Sequence, residues 1–186
     1  MKQKTQDGSK GCVKPFLKWA GGKSQLLNEL EKRIPNHIKK SKRIERYIEP
    51  FVGGGAFFFY LMSNYAVENA YINDVNKELM LAYNVIKKDP KNLIDELCIL
   101  HDNYILKKSD DCKKKYYYEV RSLFNSSLND FNFEEYSNEH ILRASKFIFL
   151  NKTCFNGLFR VNKKGEFNVP CAYPKNPLIC DKDNIL

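Results

Sequence analysis

Apolar and polar positions divide the chain into short strands near its start and longer helices beyond. A short apolar segment ends at Glu49, where Pro50 stops it, because proline cannot donate a ladder hydrogen bond. Gly53, Gly54 and Gly55 follow, and then an apolar run, Ala56–Met62, that fits a buried helix. Tyr71–Ile72 reads as the end of a second short strand. Lys77–Lys88 and Lys91–Ile105 carry helical periodicity, with Asp89-Pro90 breaking them. Tyr116–Phe124 reads as a helix with an aromatic face, and Glu139–Leu150 as a strongly apolar helix. Earlier in the chain a helix is predicted over Ser24–Arg33. Lys107–Lys115 is a polar connection, Asn125–Asn138 is loop-like, and the basic run Lys39–Arg46 reads as a solvated loop. Leu158–Asn162 and Glu166–Val169 alternate as two short strands about the turn Lys163-Lys164-Gly165, whose glycine suits positive φ. Residues 1–11 read as a disordered start, and no internal repeat or low-complexity segment is present.

The stretch Tyr47–Leu61 organises this pattern. Strand, glycine-rich turn and helix let backbone come close to a nucleotide-like ligand, and an acidic residue at the strand end, Glu49, can accept from ligand donors. An ordinary βα turn has the same local signature. The glycines do not form a dinucleotide fingerprint, since the third glycine of that pattern would fall at Phe58. Asp74 lies about 20 positions after the turn, at the end of the next strand, which suits ribose hydroxyls. Asn73 or Asp74 is equally well placed to cap the helix Lys77–Lys88. Gly22-Lys23-Ser24 ends like a phosphate-binding loop, but Leu17 stands where that loop needs glycine. There remain Trp19, a double glycine and Lys23, which fit core packing and solvent-facing charge as well as a ligand site.

Composition narrows the partner. The 186 residues suit one domain, or one with a small appendage, and 43% hydrophobic with 28% charged residues suits a folded globule. A net charge of +9 favours polyanions, nucleic acid first. The six cysteines contain no CxxC pair and the three histidines complete no zinc pattern, so reduced thiols in a cytoplasmic protein are expected. The polar first thirteen residues predict no signal peptide, and Ala56–Met62 is too short to span a bilayer. The basic hairpin, with Phe155, Asn156 and Arg160 at its base, has the side chains that read adenine and guanine edges, although a ligand-free surface hairpin would look alike.

Taken together, these segments resemble the adenine-N6 DNA methyltransferases of the Dam type (D12 class, alpha-group). Lys18-Trp19-Ala20-Gly21-Gly22-Lys23 is similar to the family's N-terminal cofactor motif, Glu49-Pro50-Phe51-Val52-Gly53-Gly54-Gly55 to its glycine loop, and Asn73-Asp74-Val75-Asn76 to its acidic motif. Phe155-Asn156-Gly157-Leu158-Phe159-Arg160 through Phe167-Asn168-Val169-Pro170 resembles its target-recognition hairpin. The resemblance implies an α/β fold: a partial Rossmann-like S-adenosylmethionine-dependent methyltransferase with a helical and hairpin recognition insertion and an incomplete sheet. It divides the chain into a cofactor-binding part, residues 12–90, and a recognition region, residues 91–186. Trp19, Lys23 and Asp74 would contact S-adenosylmethionine, with Asp74 at the ribose. Gly53 and Gly55 would admit the cofactor to the backbone, beside Pro50 and Phe51. Glu49 would accept from the cofactor or fix the loop. Leu158 and Arg160 would contact bases of double-stranded DNA at a GATC-like site, and Phe155 would fill or border the gap left by the flipped adenine. Asn156, Lys163, Lys164 and Pro170 complete the implied DNA surface.

Two departures are visible. Cys171-Ala172-Tyr173 stands where relatives often carry a glycine and an arginine. The catalytic Asp-Pro-Pro-Tyr motif is absent, since Asp89-Pro90 is followed by Lys91, and Asn176-Pro177 by Leu178-Ile179. In the family it would follow the hairpin. The expectation is therefore the N-terminal part of a methyltransferase, completed by a separate C-terminal chain, with an inactive remnant as the alternative. A restriction-modification partner and a solitary methyltransferase both remain open.

Overall fold

A computed structural model describes residues 13–128 and 130–186. The disordered start expected at residues 1–11 lies outside them. The chain opens with an extended segment and a 3-10 turn, Lys23–Leu26, that leads into α1 (Leu27–Arg33). Then come α2 (Asn36–Ser41), β1 (Arg43–Glu49), α3 (Ala56–Asn64) and β2 (Ala66–Ile72). The rest is helical: α4 (Lys77–Lys88), α5 (Pro90–Ile105), α6 (Asp110–Ser126), α7 (Asn138–Thr153) and the short α8 (Lys182–Ile185).

β1 and β2 pair in parallel around α3, with Ile44 opposite Val67 and Glu49 opposite Ile72. Among the described residues this is the whole sheet, two strands that do not close. The helices carry the main core. α7 lies against α4, α5 and α6, and Leu79, Val85, Leu93, Leu97, Tyr104, Tyr117 and Phe149 are buried around it. A second, smaller cluster of Ile44, Leu61 and Tyr65 joins the sheet to α3. No helix among the described residues is long and apolar enough to cross a membrane.

Local chemistry sets the helix starts. Ser109 Oγ accepts from Cys112 N at 3.2 Å, and Asp110 and Asp111 place negative charge in the first turn of α6. Pro90 occupies the first turn of α5, where its missing N–H costs nothing. The chain departs from the sequence expectations in four places. The basic run Lys39–Arg46 is the end of α2 and the first half of β1, because Ile38 and Ile44 anchor it in the smaller cluster. Residues 110–115 already belong to α6, drawn in by the Ser109 cap. Asn76, and neither Asn73 nor Asp74, caps α4, accepting from Leu79 N at 3.0 Å. The two strands expected about Lys163-Lys164-Gly165 are reduced to one isolated bridge, Val161 with Phe167.

Candidate functional site

The loop after β1 is pinned on several sides. Asp74 Oδ2 accepts from Gly53 N at 3.0 Å, while its Oδ1 accepts from Asn76 N at 3.0 Å. Thus one carboxylate ties the glycine loop to the start of α4. Tyr83, on α4, donates its hydroxyl to the Gly53 carbonyl at 3.1 Å. Backbone bonds from Asn73 N to Glu49 O and from Val52 N to Asn73 O, both 2.9 Å, close the strand ends together. Gly55 has φ +77, and a Cβ there would overlap the Tyr83 hydroxyl and come within 2.8 Å of Phe59 Cε2. This position therefore requires glycine, both for its left-handed backbone and for its lack of a side chain.

Lys23 braces the other wall. Its ammonium donates to Glu49 Oε1 at 2.5 Å and to the Phe51 carbonyl at 2.8 Å. Tyr47 donates to the other Glu49 oxygen at 2.5 Å, and burial, reinforced by Glu49, pushes the Tyr47 phenol well above its ordinary pKa. The structure therefore gives Glu49 the loop-fixing contacts. Trp19, Lys23, Phe51, Gly53, Gly55 and Asp74 converge on one cleft of about 250 Å³. Pro50 lies outside that lining, exposed at the strand end. Larger hollows exist, one of about 680 Å³ beside α2 and β1 and one of about 380 Å³ beside α4. Neither contains the glycine loop or Lys23, and a further hollow of about 530 Å³ beside Trp19 and Gly54 lacks Lys23, Phe51 and Asp74, so the chemistry rather than the volume selects the smaller cleft.

The hairpin region is held mainly from behind. Asn162 N donates to Glu166 O at 2.9 Å and Asn168 N to Arg160 O at 3.1 Å. From α6, Asn125 exchanges two hydrogen bonds with the backbone of Phe167, and the Tyr117 hydroxyl donates to Val169 O at 2.7 Å. Arg160 Nε donates to Asn168 Oδ1 at 2.7 Å, which holds the guanidinium along the hairpin. Lys163 and Lys164 are exposed at the tip, and Asn156 is exposed at the base with φ 55. Phe155 is 53% exposed, Leu158 is half-buried in the core edge, and Pro170 is exposed while its carbonyl accepts from Phe155 N at 2.9 Å. Among the described residues no three His, Cys, Asp or Glu side chains gather to hold a metal ion.

Several contributors have no sequence signature of their own. Tyr83 sits in an apolar helix and looks like core. Asn125 and Tyr117 act across more than forty residues. Asn151 ends an apolar helix and is 3% exposed. A lone amide in so apolar a run was the one available signal.

A glycine loop between two parallel strands, tied by an acidic residue after the second, sits in an α/β chain beside a basic hairpin. The chain belongs to the D12 class N6 adenine-specific DNA methyltransferases, whose family model matches residues 19–186. It is 50% identical over 173 residues to the Type II methyltransferase M.MjaIII of Methanocaldococcus jannaschii, covering 93% of this chain and 57% of that protein. It is 38% identical to the Type II methyltransferase M1.LlaDCHI of Lactococcus lactis subsp. cremoris, covering 93% and 52%. The DNA adenine methylase of Haemophilus influenzae is 39% identical, covering 84% and 46%. The chain thus spans about half the length of the relatives it matches.

Proposed function

We propose that residues 1–186 form the cofactor-binding and target-recognising half of an adenine-N6 DNA methyltransferase, using S-adenosylmethionine and acting on double-stranded DNA at a GATC-like site. The observation that carries this reading is the pinned glycine loop opening onto the same side of the molecule as Trp19, which stacks on Phe159 of the hairpin with centroids 5.9 Å apart. A cofactor cleft and a basic recognition element are thereby built against one another.

The cleft suits the cofactor's chemistry. Its glycines leave backbone bare. A carboxylate offers about four lone-pair sites, and Asp74 spends one on each oxygen, leaving others for ribose hydroxyls. Lys23 uses two of its ammonium's donors on the protein and keeps another for the cleft. Trp19 and Phe51 supply apolar walls. When bound, S-adenosylmethionine supplies a methyl group on a sulfonium. The acceptor nitrogen needs hydrogen-bond acceptors that pyramidalise it, because its lone pair is delocalised into the ring. The Asp-Pro-Pro-Tyr motif that serves this purpose in the family is absent from residues 1–186. Further polypeptide, covalently continuous or separate, would supply it and complete the sheet.

Methyl transfer from labelled S-adenosylmethionine to a GATC duplex tests the reading. The expected result is no transfer by this chain alone and transfer on adding a C-terminal chain that carries Asp-Pro-Pro-Tyr. Activity of the chain alone would place the catalytic groups within these residues. Calorimetry with S-adenosylmethionine should show binding that Asp74→Ala abolishes. Binding to DNA should fall steeply with salt, as lysines displace counterions; salt-independent binding contradicts the electrostatic part.

A further inference from the structure

Lys18 and Trp19 form a wall shared by the two halves of the proposed site. On one side, a Cβ built at Gly53 would lie 3.1 Å from Trp19 Cδ1, and one at Gly54 would lie 3.3 Å from Trp19 Cβ. The glycine loop therefore touches this residue directly. On the other side, Trp19 stacks on Phe159 with the rings 20° apart, and Phe159 continues to Phe167 at 5.7 Å. The first arm of the hairpin is reached in two steps from the cofactor loop and the second in three. The backbones also meet: a Cβ at Gly157, whose φ is +63, would stand 2.5 Å from Lys18 Cβ.

One side chain holds this junction. Asn151 Oδ1 accepts from Lys18 N at 3.0 Å, and its Nδ2 donates to Lys18 O and to Gly157 O, both at 2.8 Å. An amide is the one neutral side-chain type of this size that offers an acceptor and two donors from a single planar group. Asn151 thereby fastens the N-terminal cofactor segment to the hairpin base across 133 residues of sequence.

We propose that Asn151 is a positioning residue that couples the cofactor cleft to the recognition hairpin, so that filling the cleft orders the hairpin for DNA. The inference rests on the cofactor reading above. A ligand against Gly53 and Trp19 restricts the indole, and the indole restricts Phe159. The amide keeps Lys18 and Gly157 from sliding apart, so that this restriction is passed on rather than absorbed. Such coupling is a free energy shared by two sites and can act through ordering alone.

Amide hydrogen exchange of the full chain, read by NMR with and without S-adenosylhomocysteine, tests it. In the wild type the ligand should slow exchange at Gly53 and Gly55, and also about tenfold at Asn162 and Asn168 across the hairpin. Asn151→Asp keeps the acceptor but removes both donors. In that variant the ligand should still slow the glycine loop, while slowing at the hairpin falls below about twofold. A purely structural Asn151 would raise hairpin exchange equally with and without ligand and leave the tenfold ratio intact, which overturns the proposal. A wild type that protects its glycine loop but not its hairpin overturns it as well. No protection of the glycine loop overturns the cofactor reading, and the coupling falls with it. Phe159→Leu provides an independent variant should Asn151→Asp not fold. It leaves the amide contacts in place and removes the stack, and an undiminished ligand effect on its hairpin counts against the proposed route.

Discussion

At the scale of single residues, the glycine run was legible but the demand on each glycine was not. Which of Gly53, Gly54 and Gly55 tolerates a side chain depends on Trp19 for the first two and on Tyr83 and Phe59 for the third, and Tyr83 is brought there by a helix that begins more than twenty residues later. Gly55→Ala should cost about 2–4 kcal/mol, the left-handed backbone adding about 1–2 and the overlap the remainder. Urea denaturation reads the loss. Gly165→Ala, in an exposed turn with only Leu128 Cδ2 nearby at 3.3 Å, should cost less. Cys154 makes a second case. The sequence showed six thiols without metal spacing, yet not which were buried. Burial pushes the Cys154 thiol up to about 11 from an ordinary 9.0. The folded state therefore holds this proton more tightly than the unfolded chain. Its contribution to stability is whole below about pH 9 and disappears as pH rises toward 11. Cys154→Ala should flatten the alkaline loss of stability relative to wild type, both by removing this thiol and by relieving the part of the Tyr117 upward shift that the neighbouring thiolate adds to burial. At pH 8 iodoacetamide should mark exposed Cys112 well before Cys154, and mass mapping of early labelling at Cys154 would contradict its burial.

At the scale of elements, periodicity located α4, α5 and α7, because each carries a continuous apolar stripe. Partners between elements left no trace in the pattern. Glu78, at the start of α4, meets Arg143 on α7 through Oε2 to Nε at 2.9 Å and Oε1 to Nη2 at 2.5 Å. The remaining guanidinium nitrogen donates to Phe124 O at 3.1 Å and Ser127 Oγ at 2.8 Å. Phe124 and Phe131 lie against the guanidinium face, 4.4 and 4.7 Å from their ring centres. The sequence pattern singles out neither Glu78, in the first turn of α4, nor Arg143, within α7. The pair fastens the element after Asp74 to the element that leads to the hairpin. Glu78→Gln leaves Arg143 buried without its counter-charge and should cost about 3–5 kcal/mol in chemical denaturation. Glu78→Leu with Arg143→Met should recover much of that loss, since apolar replacement of a buried pair is often neutral. Equal losses for the single and double variants would mean that packing, rather than charge, sets the cost. The hairpin strands show the opposite error. Alternation suggested two regular strands, but Arg160 and Asn168 spend side chains on each other, and one bridge remains.

At the scale of the whole molecule, stability is unevenly distributed, and the sequence hinted at this through its two recognisable strands. The helices around α7 bury the large side chains, whereas the sheet is covered mainly by the smaller cluster of Ile44, Leu61 and Tyr65 with its half-buried neighbours, and Ile72 at the end of β2 reaches the main core. β2 contains no buried residue. Ile48 and Tyr71, partners in the register, are 64% and 58% exposed. Parallel strands are ordinarily buried on both faces, and two strands with few buried contacts give little independent stability. The helical core and the sheet should therefore open at different free energies, in separate cooperative units. Native-state hydrogen exchange should show α7 amides opening only with global unfolding, while β1 and β2 amides exchange at least about a hundredfold faster through local opening, a gap of about 2.7 kcal/mol. Equal protection would mean that the sheet is as tightly integrated as the helices and would remove the physical reason to expect a completing segment. Adding a C-terminal methyltransferase chain should raise β1 and β2 protection toward that of α7 without moving α7 itself. Because Asp74 and the glycine loop hang from the ends of these strands, the same addition should tighten S-adenosylmethionine binding. Sheet protection and cofactor affinity should rise together in one titration; a rise in affinity with unchanged sheet exchange would assign the gain to direct contacts from the added chain instead.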